Sequence, residues 1–201
     1  MLTSLGNFTG LEVLLEILLA ISLSAAVGFR VFIPPLVLSA AAVFGHLDYP
    51  TEFDWVESPE ALSVLAVAAF LEISGYYIPW FDHLLDLVST PTAVIAGVFI
   101  AAAVTPDVNP VAQWTLALVA GGGAAGLTKG LSNILRSGST LASGGLTNPI
   151  FSTLEWMMAF GLSVLALFLP VLTGFVVSAI LMYALYKVWQ LFAGRQPTEA
   201  S

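Results

Sequence analysis

The chain has 201 residues, of which 58% are apolar and only 9% charged, with no cysteine and a net charge of −8. With a mean hydropathy of +0.96, this excludes a disordered chain and nearly every soluble enzyme, since soluble domains carry about 25% charged residues. The acidic excess excludes a basic footprint for nucleic acid or anionic lipid. The lack of cysteine removes disulfides, thiolate metal sites and cysteine nucleophiles. The class that remains is a single all-α integral membrane domain over residues 1–201.

Leu11 to Phe29 reads as a spanning helix. Glu12 and Glu16 sit on its first turns, where the helix dipole favours negative charge, and the positive region of a cleaved signal peptide is missing. Pro34-Pro35 should then break the chain. Leu36 to Gly45 is only ~15 Å long as a helix, too short for a ~30 Å hydrocarbon core. It is expected to be re-entrant, a form tolerated only inside protein. Residues 48–60 carry five acids and no base and read as a water-exposed loop containing Trp55, with His46 at the interface just before it.

Ser58-Pro59 opens a helix over about 59–77 that contains Glu72 and is ended by Pro79. Residues 80–89 place Asp82 and Asp86 four apart and Leu84, Leu85 and Val88 on another face. That spacing predicts an amphipathic helix lying in the interface, with Trp80 at the headgroups. Pro91 opens a further crossing to about Val104. The segment 111–136 begins as a crossing, and Gly121–Gly126 allows close backbone approach. Lys129 and Arg136 follow. The Gly-, Ser- and Thr-rich stretch 137–148 has no charge, so it is expected to be irregular backbone buried in protein or lining a cavity. Asn148-Pro149 is an N-cap followed by proline at the first helical position. The charge-free run 156–186 would be about 47 Å long as one helix, so Pro170 should divide helices over 149–169 and 171–193. The expected architecture is six transmembrane helices plus two broken, re-entrant segments.

The two halves, 11–105 and 110–194, resemble each other. Ala25–Arg30 parallels Ala124–Lys129, each placing a base at the end of a small-residue helix. A broken segment follows each, 31–47 and 130–147. Ser58-Pro59 and Asn148-Pro149 then open helices that carry Glu72 and Glu155. Three crossings per half would invert the second copy, a transporter signature. Lys187 and Arg195 mark the C-terminus as cytoplasmic.

The stretches GFRVFIPPLVL, YYIPWFDHLLDLVSTP and STLASGGLTNPIFSTLE resemble the bacterial multi-pass membrane proteins of domain-of-unknown-function family four-one-two-six. The similarity spans about 11–193. In that family the helix before Ile-Pro usually ends in Asp-Lys, whereas here the place reads Gly75-Tyr76-Tyr77. The resemblance implies a multi-pass protein of the bacterial inner membrane and no particular activity.

Ionisable residues inside a membrane cost about 2.5–3.5 kcal/mol each on insertion scales, which makes them functional candidates. Arg30 suits bidentate recognition of a carboxylate or phosphate, and Lys129 adds a second positive point. Glu72 and Glu155 would neutralise these bases or carry a proton, with Asp82 and Asp86 as further coupling groups. The competing interpretation is two structural pairs, Arg30–Glu72 and Lys129–Glu155, or side chains that snorkel to the interface. Ser143, Gly144, Gly145 and Asn148, before the helix at Pro149, form either an anion site or plain close packing. Asp82, His83 and Asp86 lack the pattern of a known metal site, and no nucleophile elbow occurs. Neither a cofactor nor a metal is expected.

The leading expectation is a small transporter of an anionic or zwitterionic solute. A lipid or lipid-phosphate translocase and a structural or assembly subunit are the alternatives. Partners are membrane lipid, a small-molecule or lipid substrate and, through Gly121–Gly123, a homodimer; nucleic acid is not among them.

Overall fold

The computed structural model describes residues 10–45, 51–78, 81–105, 109–144 and 146–193, and in these it is helical throughout. The elements are α1 (Gly10–Phe29), α2 (Ile33–Gly45), a 3-10 turn (Thr51–Glu57), α3 (Pro59–Gly75), α4 (Phe81–Val104), α5 (Pro110–Leu116), a π turn (Ala117–Gly122), α6 (Gly123–Ser143), α7 (Asn148–Phe168) and α8 (Pro170–Ala193). Helix α1 is the hub and packs against α4, α6, α7 and α8, while α2 lies between α3 and α7. Small residues make this possible: Ala25, Ala26, Ser22 and Ser24 of α1 are fully enclosed. The buried hydroxyls are satisfied locally or across helices. Ser22 donates to the Leu18 carbonyl, and Ser24 donates to the Gly97 carbonyl of α4 at 2.9 Å.

Glycines set the closest approaches. A Cβ on Gly28 would lie 2.5 Å from Thr128 Cβ and 2.6 Å from the Ala125 carbonyl oxygen. The contact of α1 with α6 therefore requires glycine there, and it delivers Arg30 and Lys129 to one place. Gly97 of α4 and Gly121 of the π turn face each other in the same way.

The outside of the bundle is apolar. Phe70, Val119, Leu141, Phe168 and Met182 are exposed, while Arg30, Lys129 and Arg136 are buried. That reverses the distribution of a water-soluble protein. Three helices are long and apolar enough to cross a membrane, Leu84–Val104, Asn148–Phe168 and Pro170–Gln190. The breaks expected at Pro59, Asn148-Pro149 and Pro170 fall at the starts of α3, α7 and α8. Ser58 caps α3, its hydroxyl accepting from Ala61 N–H at 3.1 Å.

Three expectations need correction. Pro34 and Pro35 do not separate α1 from a helix starting at Leu36; they lie in the first turn of α2, where a missing N–H costs nothing. At 13 residues α2 is still only about 20 Å long. Pro91 does not divide an interfacial helix from a crossing, because α4 runs continuously through it. The hydroxyls of Thr90 and Thr92 donate to the Asp86 and Val88 carbonyls around that point, and hydroxyls of this kind accommodate proline in apolar helices. Finally, the stretch after Arg136 is not irregular. It continues α6 to Ser143, where Gly144 in the left-handed conformation (φ 65°) ends the helix. Ser143 donates to the Ser139 carbonyl, and Ser139 and Ser143 both bond Thr147. The hydroxyls thus supply the polar contacts that a loop would take from water.

Candidate functional site

Where α1, α3, α4, α6 and α7 converge, three bases and four carboxylates meet. Arg30 closes α1, Lys129 and Arg136 come from α6, Glu72 from α3, Asp82 and Asp86 from α4, and Glu155 from α7. Helical spacing explains the convergence. Lys129, Ser132 and Arg136 recur at three and four residues along α6, as do Asn148, Ser152 and Glu155 along α7, so each set shares one face.

Glu155 is the centre of the positive side. Its Oε2 accepts from Arg30 Nη2 at 2.8 Å and from Arg136 Nη1 at 3.0 Å, while its Oε1 accepts from the Ser132 hydroxyl. Arg30 Nη2 also reaches the Ser152 hydroxyl at 2.6 Å. Arg136 extends the network through Nη2 to Asp82 Oδ2 at 3.4 Å and sits 3.4 Å from Asp86 Oδ2. Asn148 donates to the same Asp82 oxygen at 3.1 Å and accepts from Thr140. Lys129 Nζ lies 3.3 Å from Asp86 Oδ1. Arg30 and Lys129 are 1% and 2% exposed, whereas the Asp86 side chain is 27% exposed. Asp86 is therefore the edge through which the network meets its surroundings.

Glu72 does something different. Its Oε1 accepts from the backbone N–H of Val31 at 2.8 Å and its Oε2 from that of Phe32 at 3.0 Å. These are the donors at the entry to α2, since Phe32 also accepts the first helical bond of that element, from Leu36. A carboxylate from one helix thus caps another.

Tyr76, in the turn after α3, is the common wall of the cations. Its ring centroid is 3.7 Å from Arg30 Cζ, 4.7 Å from Arg136 Cζ and 5.7 Å from Lys129 Nζ. The π face offsets part of their mutual repulsion. Its hydroxyl lies 3.1 Å from both Asp86 Oδ1 and Ser89 Oγ. It also accepts from Lys129 Nζ at 3.4 Å, so Tyr76→Phe should cost about 1.5–3 kcal/mol, the range for hydrogen bonds to charged groups. Tyr76→Leu should cost about 2 kcal/mol more, because the ring itself is lost. Unfolding of the detergent-solubilised variants measures both, and equal losses would show that the cations do not need the ring.

Arg30, Lys129, Glu155, Asp82, Asp86 and Asn148 are thus brought together as one network, with Glu72 held apart from it on the backbone N–H groups that follow Arg30, and the partners differ from those expected. Arg30 pairs with Glu155 rather than Glu72, and Lys129 with Asp86 rather than Glu155. Ser143 and Gly144 form the end of α6 instead. Gly145, His46, Trp80, Arg195 and the side chain of His83 lie outside the described residues. Arg136, Tyr76, Ser132 and Ser152 belong to the network and were not among the sequence candidates. Arg136 was readable only as the basic end of a crossing, yet its spacing of seven from Lys129 places both on one helical face.

One feature of the network is unbalanced. Among the described residues, Arg30 Nε and Nη1 have no hydrogen-bond partner, although the side chain is enclosed. Guanidinium donors are obligatory, and leaving them unmade in a dry interior costs free energy.

Residues 17–190 match the family model described as Domain of unknown function (DUF4126). No curated protein and no solved structure matches the chain.

Proposed function

The chain belongs to that family, and from its own residues we propose that it is a small membrane transporter for an anionic or zwitterionic solute. The buried network of Arg30, Lys129, Arg136, Glu72, Asp82, Asp86 and Glu155 is the solute and coupling site in this reading. The observation that carries it is the enclosed Arg30 guanidinium with donors left over: a planar, permanently charged fork suited to an oxygen anion. Carboxylates of the same network would meet the positive end of a zwitterion. Four carboxylates against three bases also leave room for one proton to be exchanged as the solute passes.

Six crossings, formed by α1, α3, α4, the α5–α6 run, α7 and α8, complete this reading, with the C-terminus in the cytoplasm. An inverted repeat gives it a rationale, because the matched bases Arg30 and Lys129 come to the same network, although of the matched glutamates only Glu155 bonds within it. Against the repeat stands the continuity of α6 where the first half has a break.

Transport is tested by reconstituting the full chain into proteoliposomes and measuring counterflow of labelled monocarboxylates, amino acids and phosphate esters, with and without a pH gradient. Saturable uptake that falls at least tenfold in Arg30→Gln, at equal reconstitution, is the expected result. If no solute of the panel moves, the second reading takes its place. That reading is a structural or assembly subunit, favoured by the pairing of most of these charges with one another.

A further inference from the structure

We propose that the junction between α1 and α2 is a carboxylate-binding site and that Glu72 is its tethered occupant, standing where a free carboxylate binds during transport. The proposal rests on the transport reading above and names the chemistry of its solute. Three observations meet at this junction.

The first is the grip on Glu72. Each of its oxygens takes one backbone N–H, from Val31 at 2.8 Å and from Phe32 at 3.0 Å. Paired donors of this kind suit the two-oxygen fork of a carboxylate. They stand at the entrance of a 13-residue helix, whose dipole adds partial positive charge there. Pro34 and Pro35 contribute no N–H to that turn.

The second is Arg30, the residue immediately before these donors. Its Nη2 is committed to Ser152 and Glu155, but Nε and Nη1 have no partner among the described residues. No hydrogen bond joins Arg30 to Glu72, whose oxygens go to the backbone instead. A cap that served structure alone would be expected to use the neighbouring guanidinium as well. The unused N–H groups fit an anion that sits against the same backbone donors and is free to turn towards Arg30, as a side chain anchored to α3 is not.

The third is the route. Glu72 is carried by α3, whose main contacts are with α2, the 3-10 turn and α4 rather than with the hub helix α1. A movement of α3 therefore withdraws the carboxylate without dismantling the packing of α1 against α4, α6, α7 and α8. The arriving carboxylate then takes both backbone donors and completes Arg30.

The test removes the occupant and supplies a free one. Glu72→Ala is purified as the full chain in detergent, and its thermal midpoint is followed against sodium acetate, formate and decanoate, with sodium chloride at equal ionic strength as the control. Saturable stabilisation by carboxylate, half-maximal at a concentration at least tenfold lower than any response of the unaltered protein, is the expected result. Adding Arg30→Lys should raise that concentration about tenfold. A preference for acetate points to a solute from water and a preference for decanoate to one from the bilayer; either supports the site. Identical responses of Glu72→Ala and the unaltered protein, or equal effects of chloride and acetate, overturn it. If Glu72→Ala does not fold, Glu72→Ser, which also vacates the space at the two backbone donors, is read in the same way. Carboxylate binding by the variant without uptake by the unaltered protein removes the transport reading and leaves the site. Uptake without any gain in Glu72→Ala does the reverse.

Discussion

Glu155→Ala is expected to lower the unfolding free energy by about 3–5 kcal/mol, the usual consequence of stripping one partner from a buried ion pair. Its Oε2 holds Arg30 and Arg136 at 2.8 and 3.0 Å, and both guanidiniums are buried. Without the carboxylate they face one another in a dry interior. Total charge would suggest the opposite, because losing one of four carboxylates leaves three against three bases. Local geometry outweighs the total at these distances, since Coulomb energy falls with separation and rises as the dielectric drops. Adding Arg136→Met to Glu155→Ala should recover part of the loss, giving a non-additive cycle. Unfolding in micelles would show it. A loss below about 1 kcal/mol for Glu155→Ala would mean that Asp82 and Asp86 suffice for both arginines.

Gly121→Ala is expected to cost about 1–3 kcal/mol, the range for overpacking a close contact. The added Cβ would stand 2.5 Å from Ala101 Cβ and 2.5 Å from the Gly97 carbonyl oxygen. Neither is the end of a flexible side chain, so α4 must move away. Lys129 would be drawn from Asp86 in the process, and activity should fall together with stability. Gly123→Ala and Gly130→Ala provide the contrast on the same helical run. Nothing lies within 4 Å of a Cβ at either position, and alanine is favoured over glycine in a helix by about 1 kcal/mol. Both should be neutral or stabilising. A stabilising Gly121→Ala would contradict the tight contact between α4 and the π turn.

Much of this was legible in the sequence where one residue type has a strong local effect. Proline marked the starts of α3, α7 and α8, because it suits the first turn of a helix. Ser58 caps α3 as read, but Asn148 is not the cap of α7: Thr147 holds that position and Asn148 is the first helical residue, its side chain bonded to Asp82 and Thr140 instead. The glycines of Gly121–Gly126 announced close packing, and charges within apolar runs announced a buried network. What could not be read was decided by tertiary contact. Pro91 resembles Pro59 in the sequence, but only the surrounding helices decide whether the chain continues through it. The stretch Ser137–Ser143 looks like loop by composition, and its helical state depends on hydroxyls that bond Thr147 and Asn148 across a turn. Pairing was the least accessible property. Arg30 joins Glu155, 125 residues away, and no spacing rule reaches across that distance. Tyr76 gave no signal as an ionisable group, because its contribution is a ring face presented to cations.

The π turn at Ala117–Gly122 has a consequence for insertions and deletions. Each turn of this kind contains one more residue than an α-helical turn, so it shifts the phase of everything beyond it. Ahead of the shift, Gln113 of α5 donates to the Ala102 carbonyl at 2.9 Å; beyond it, Lys129 and Arg136 point at the acids of α4 and α7. Wound as a regular α-helix, the same residues would turn one end of the rod by about 100° against the other, and either Gln113 or the two bases would then face lipid. The wider turn absorbs the extra residue and holds both ends in phase, so deleting one residue within it, such as Val119, leaves both surfaces matched, whereas deleting one between Gly123 and Lys129 does not.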